Sequence, residues 1–302
     1  IFQRMIWNRP SMSLTAVIDG LEMLVPKNKF SALLTRVLSA LILMPVVLGA
    51  IYYGGIWFTV LLSVLAVLMA KEWAHLVSGG RLAVSSVVAL ITGTVIVMGA
   101  AMNGHLAYAL ILSVVVGGVV GFLDRSQLAL DRLISGFGVP YICIPLISAW
   151  WLVTAGSGEG RNVMFWILSV VWLTDTGAYA AGKLIGGPKL APRISPNKTW
   201  AGLLGGMLAA SIVAASVAVW TGFADPWQII WQSGLFAALS QGGDLFESAI
   251  KRHYDVKDSG AIIPGHGGLF DRIDGLLVAL PLVALMQWVS LFLGGNGVFQ
   301  WL

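Results

Sequence analysis

Apolar runs bounded by Gly, Pro or charge divide the chain into nine segments, near 33–53, 56–70, 83–102, 105–123, 133–154, 163–182, 199–221, 228–249 and 275–294. Each is read as a helix crossing a bilayer, because an apolar helix needs roughly 20 residues to span the hydrocarbon core. The second run is short, which predicts a tilted or partly re-entrant segment. No internal repeat or inverted repeat stands out. The residues up to about Phe30 stand apart. "RMIWNRPSMS" has no long apolar stretch, so no secretory signal is expected there. The stretch 12–25 is either a short amphipathic helix lying on the membrane surface or disordered.

Composition agrees with this pattern. The 302 residues are 58% hydrophobic and only 11% charged, and the mean hydropathy is +0.86. A soluble globular domain lies far below that value, so the expected class is integral membrane. A single cysteine, Cys143, excludes an internal disulfide and a cysteine-built zinc site. The net charge of +4 is no nucleic-acid signature, and no nucleic-acid partner is expected.

The position of the basic residues matters more than their sum. With the loops numbered alternately from the N-terminal arm, side two receives only Arg161, so 18 Lys and Arg less one leaves 17 on side one. By the positive-inside rule side one is the cytoplasm, and the C-terminus lies outside. Trp7, Trp57, Trp73, Trp227, Trp231 and Trp301 fall near the expected ends of crossings, as interfacial anchors do. The expected fold is therefore all-α and polytopic, with about nine transmembrane helices. An N-terminal arm (1–30) precedes N-terminal transmembrane helices (31–160) and a C-terminal transmembrane half (161–302).

The cytoplasmic loops are unequal. Those at 183–198 and 250–274 are long, polar and rich in Gly and Pro, and long loops in compact domains are often functional. Chemistry is therefore expected at the cytoplasmic ends of the C-terminal helices.

Four stretches carry it. In "QGGDLFESAIKRHYDVKDSG" (241–260), Asp244, Glu247, Ser248 and Lys251 share one helix face at i, i+3, i+4 and i+7. Acids inside a membrane helix cost about 2.5–3.5 kcal/mol each at the bilayer centre, so they must face protein or a watery cavity. A snorkelling helix end with local salt bridges is the plainer alternative. In "LTDTGAYAAGKLIGGPK" (173–189), Asp175 is the one charge of the sixth run, among small residues that allow close helix approach. It either faces a shared polar pocket or sits in a packing seam beside a lysine.

In "PRISPNKTWAG" (192–202), Ser195 reads as an N-cap and Pro196 as the first helical position of the seventh crossing. A helix N-terminus with Lys198 in its first turn favours phosphate, although a capped helix with an interfacial lysine reads the same way. In "PGHGGLFDRIDG" (264–275), Pro264, Gly265, Gly267 and Gly268 form a turn that lets backbone approach a ligand closely, with His266 at its centre. Asp271 and Asp274 follow, with Arg272 between them, and two acids there also suit the helix dipole.

Asp175, Asp244 and Asp271 lie beside Lys198, Lys251, Arg252, Lys257 and Arg272 at one depth. Acids and bases together suggest a metal–polyphosphate site. Mg²⁺ is typically held by one or two carboxylates plus substrate phosphates, while lysine and arginine neutralise the remaining phosphate charge.

The run from Ser248 to Asp274 fixes a Ser, a Lys-Arg pair, Lys-Asp, HGG and DR.D at set spacings. It closely resembles the signature of the phosphatidate cytidylyltransferases, or CDP-diacylglycerol synthases. "DTGAY" and "SPNKTW" upstream are similar to further family elements in the same order. The resemblance covers 170–280 strongly, the first half only as apolar helices, and 1–30 not at all. Ala201 stands where family members often carry an acid, which counts against a catalytic role for that acid.

The resemblance implies transfer of a cytidylyl group from CTP to phosphatidic acid, giving CDP-diacylglycerol and pyrophosphate, at the cytoplasmic face of a bacterial inner membrane. On this reading Asp244, Asp271, Lys251, Arg252 and His266 are catalytic. Ser195, Lys198, Ser248, Lys257, Arg272, Gly267 and Gly268 bind substrate. Asp244, Asp271 and Asp175 hold Mg²⁺, with a second cation such as K⁺ and a homodimer left open. The rival class is an ion- or proton-coupled transporter with intramembrane acids, but these acids gather at one face and no matching pair of broken helices appears. The D-G-x-x-A-R core of CDP-alcohol enzymes and the H-E-x-x-H of metalloproteases are absent.

Overall fold

The computed structural model describes residues 29–78, 84–124, 126–154, 160–221, 225–260, 262, 267–295 and 297–299. Nine helices follow one another among them: α1 (Lys29–Tyr53), α2 (Gly55–Val77), α3 (Val84–Met102), α4 (Leu106–Leu123), α5 (Ala129–Thr154), α6 (Gly160–Leu184), α7 (Trp200–Thr221), α8 (Pro226–His253) and α9 (Phe270–Phe292). Each apolar run of the sequence is one of these helices. By length and composition α2, α4, α5, α6, α7 and α9 can each cross a bilayer, while α1 and α3 contribute shorter apolar stretches, Leu41–Tyr53 and Val87–Met102. The N-terminal segment 1–28 lies outside the described residues.

The second run is not short. α2 continues for 23 residues through Lys71 and Glu72 to Val77. The charges that end the apolar count do not end the helix, because Glu72 is buried and hydrogen-bonded to backbone far along the chain.

A second correction concerns the loop before α7. Here the expected all-α fold carries a β-hairpin. β1 (Lys189–Ala191) pairs antiparallel with β2 (Ser195–Thr199), Lys189 opposite Thr199 and Ala191 opposite Ser195. Ser195 therefore begins a strand and caps no helix. The cap is Thr199, whose Oγ1 accepts the Gly202 N–H at 3.0 Å. The Ser-Pro signal misleads because a two-stranded ribbon has only edge strands, where a proline without an N–H is tolerated.

α5 is the central helix, packed against α2, α3, α4 and α9. Its approach to α4 is backbone to backbone, since a Cβ at Gly117 would stand 2.6 Å from the Gly136 carbonyl oxygen. α6 and α7 meet in the same manner: a Cβ at Gly177 would lie 2.6 Å from Ala209 Cβ, and one at Gly206 2.7 Å from the Thr174 carbonyl oxygen. α8 is the most polar helix. It buries Gln232, Ser233, Gln241 and Glu247 against α6, α7 and α9. Gln232 donates to the Val298 carbonyl at 2.8 Å, and the Trp166 indole donates to Ser233 at 3.0 Å. A helix with so many polar groups is stable among apolar neighbours only when protein partners satisfy them.

Candidate active site

α6, α7, α8 and β2 border an open cavity of about 400 Å³ whose lining includes Asp175, Lys198, Thr199, Gln241 and Asp244. Asp175 and Asp244 each lie nine residues before the last residue of their helices, Leu184 and His253. At 1.5 Å per residue that sets them roughly 13 Å inside the helix ends. The cavity thus cuts into the bundle instead of resting on its rim.

The hairpin delivers Lys198 to this cavity. Its Nζ lies 2.5 Å from Asp244 Oδ2 and 3.4 Å from the Gln241 carbonyl oxygen. Gln241 in turn donates to Asp175 Oδ1 at 3.2 Å, and Ser248 donates to Asp244 Oδ1 at 3.3 Å. The small residues around Asp175 serve both readings drawn from the sequence. Gly177 seals the seam with α7, while Asp175 itself opens onto the cavity.

About two turns past Asp244 along α8, Lys251 is buried between two acids. It lies 3.2 Å from Glu247 Oε1 and 2.5 Å from Asp271 Oδ1. Glu247 is 1% exposed, and its pairing with Lys251 offsets the burial of its carboxylate. The other Asp271 oxygen, Oδ2, accepts from the Ser259 N–H (3.1 Å), the Ser259 hydroxyl (3.2 Å) and the Gly268 N–H (3.0 Å). Asp271 therefore braces the turn before α9 and pins Lys251.

Asp175, Asp244, Glu247, Asp271 and Asp274 lie within electrostatic reach of their neighbours in this group, as do Lys198, Lys251 and Arg272. That is five carboxyl groups beside three basic side chains. Among the described residues no three His, Cys, Asp or Glu side chains converge as a ready-made metal set.

The remaining candidates are placed less centrally. Arg252 is exposed and leans toward the hairpin, its Nε 3.5 Å from the Ile194 carbonyl oxygen. Lys257 is exposed in the segment after α8. Gly267 has φ of +85°, a conformation that L side chains rarely adopt, and Gly268 is buried. Ser195 lies at the start of β2. His266, with Pro264 and Gly265, is outside the described residues. The residue absent from the sequence reading is Glu72. Its signal was an acid beside Trp73 at the end of an apolar run too short to cross a membrane.

Architecture and site together define a helical membrane protein with a polar, charge-lined cavity set among apolar helices. The model of the cytidylyltransferase family matches residues 34–290, and the chain belongs to that family. It is 34% identical over 278 residues to a phosphatidate cytidylyltransferase of Brucella suis, an alignment covering 84% of this chain and 93% of the relative. It is 32% identical over 256 residues to one of Staphylococcus aureus, covering 83% and 97%.

Proposed function

We propose that the chain transfers the cytidylyl group of CTP to phosphatidic acid, giving CDP-diacylglycerol and pyrophosphate. One observation carries the reading beyond family membership: acids and lysines gather in a cavity that cuts into a bundle of apolar helices. A soluble nucleotide and a membrane lipid can meet there. A phosphate oxygen of phosphatidic acid attacks the α-phosphorus of CTP. The new P–O bond forms as the bond to the β-phosphate oxygen breaks, and pyrophosphate leaves with the electron pair. The attacking oxygen is already anionic, so no strong general base is required. Alignment and charge neutralisation carry the step.

Lys198, on the cavity wall, and Lys251, held between Glu247 and Asp271, are the cations for phosphate. Lysine suits this role as a mobile point charge on a flexible stem. The carboxyl oxygens on the cavity wall fit Mg²⁺, which is commonly bound by one or two carboxylates with substrate phosphates completing the shell. Asp244, with Asp175 on the same cavity, would hold it. Mg²⁺ supplies charge stabilisation at the phosphoryl oxygens. Asp271 takes the positioning role that its four hydrogen-bond donors support.

The nine helices would cross the membrane alternately, N-terminus in the cytoplasm, with the cavity opening to that side. The skew of basic residues supports this orientation. The transporter reading is disfavoured by the family. The direct test supplies labelled CTP and phosphatidic acid to purified protein, with and without Mg²⁺, and looks for CDP-diacylglycerol. ATP and GTP are the comparators, and equal product from all three nucleotides would defeat the cytidine specificity.

A further inference from the structure

We propose that Glu72, contributed by α2 from the N-terminal half, is a positioning residue that sets the Gly267–Asp271 turn and so fixes Lys251 in its place between Glu247 and Asp271. Glu72 is 2% exposed. Its Oε1 accepts the Leu269 N–H at 3.0 Å and its Oε2 accepts the Phe270 N–H at 2.9 Å. These are amide groups at the start of α9, where a helix has no carbonyl partners of its own. A carboxylate placed there satisfies two donors and meets the positive end of the helix dipole.

The surroundings are built around that carboxylate. A Cβ at Gly260 would overlap it, and one at Gly268 would stand 2.6 Å from Oε1 while colliding with the Ser259 hydroxyl. Two glycines of the polar loop are therefore small because Glu72 occupies the space. The same turn faces the other way with Asp271, which accepts from Gly268 and Ser259 and closes on Lys251. Glu72 and Asp271 thus grip successive amides of one turn, Gly268 by Asp271 and then Leu269 and Phe270 by Glu72. Loosening the grip of Glu72 frees that of Asp271, and Lys251 is left with Glu247 as its remaining acid partner.

The role in catalysis rests on the function proposed above, so the test has an arm that does not. Glu72→Gln keeps the volume but has one acceptor oxygen where two are needed. Hydrogen exchange of the full-length protein in detergent should rise across 267–272 and stay unchanged in α8 at 229–237. In the lipid-nucleotide assay, turnover should fall on the order of 10²-fold, as small misplacements of a site do. The double variant Glu72→Gln/Lys251→Ala should be no slower than Lys251→Ala alone. Glu72→Asp, which keeps charge but not reach, should recover part of the rate, and it carries the same measurements if Glu72→Gln does not fold. Wild-type exchange across 267–272, full turnover, or additive losses in the double variant would overturn the proposal. Failure of the wild-type protein to make CDP-diacylglycerol would instead defeat the functional reading and leave the exchange arm standing.

Discussion

Lys198 Nζ meets Asp244 Oδ2 at 2.5 Å, tying the last residues of β2 to the polar stripe of α8. Both side chains keep some solvent access, 17% and 30%, so the pair lines the cavity instead of being sealed beneath it. A cation so placed is available to phosphate. Lys198→Ala should raise the KM for CTP roughly ten- to hundredfold, the equivalent of losing a charge-assisted contact of about 1.5–3 kcal/mol. Initial rates against CTP at saturating lipid measure this, and an unchanged KM would remove Lys198 from the nucleotide site.

Asp244→Asn keeps the shape of the side chain and loses its charge. Turnover should nearly vanish while the protein stays monodisperse and helical. Chelation should stop the wild-type enzyme, and added Mg²⁺ should restore it. At whatever residual rate Asp244→Asn retains, the Mg²⁺ midpoint should move upward. A well-folded variant with wild-type activity would sink the metal assignment.

Asp271 and Lys251 should part company when each is changed. Asp271→Asn leaves a buried lysine short of an acid and weakens the turn at Gly268. It should cost about 3 kcal/mol of stability, as removing one member of a buried pair does, and it should lower activity as well. Lys251→Ala should keep its Mg²⁺ dependence while using CTP poorly, and Lys251→Arg should recover only part, because a planar fork replaces a point charge. Thermal unfolding in detergent, run beside the rate assay, separates the two effects. Equal melting temperatures for Asp271→Asn and wild type would contradict the bracing role.

The cap of α7 gives a sharper local test. Thr199→Ala should destabilise by about 1 kcal/mol, the usual cost of losing an N-cap. Ser195→Ala, at the strand start, should cost less. If Ser195→Ala proved the more damaging in thermal melts, the hairpin register would be wrong.

Topology can be read with cysteine probes after the buried Cys143 is replaced. A probe at Asp258 should label from the cytoplasmic side, and one at Gly104, in the turn between α3 and α4, from the opposite side. Labelling of both from one side would break the alternation of nine crossings.

The helices were legible because long apolar runs end at unambiguous punctuation. The run 105–123 became Leu106–Leu123, and 199–221 became Trp200–Thr221. The stripe of α8 was legible for the same periodic reason, and Ser248–Asp244 and Lys251–Glu247 are its i, i+4 contacts. What stayed hidden depended on distant partners. The continuation of α2 past Lys71 depends on amides 197 and 198 residues away, which no local window contains. Ser195 and Pro196 fit a helix start and an edge strand equally well, and only pairing with Lys189–Ala191 decides between them. The brace that Asp271 forms was hidden for the same reason, because sequence shows the acid but not the four donors aimed at it.

The glycine seam between α6 and α7 reaches beyond packing. Because Gly177 and Gly206 bring main chain against main chain, the gap between these two walls of the cavity is fixed by the diameter of bare backbone, not by the side chains that face the ligand. Recognition and gauge are thereby separated. Charges at Lys198 or Asp244 can change what is attracted without changing how wide an object is admitted, and a descendant that accepted a bulkier headgroup would have to begin by giving up a glycine.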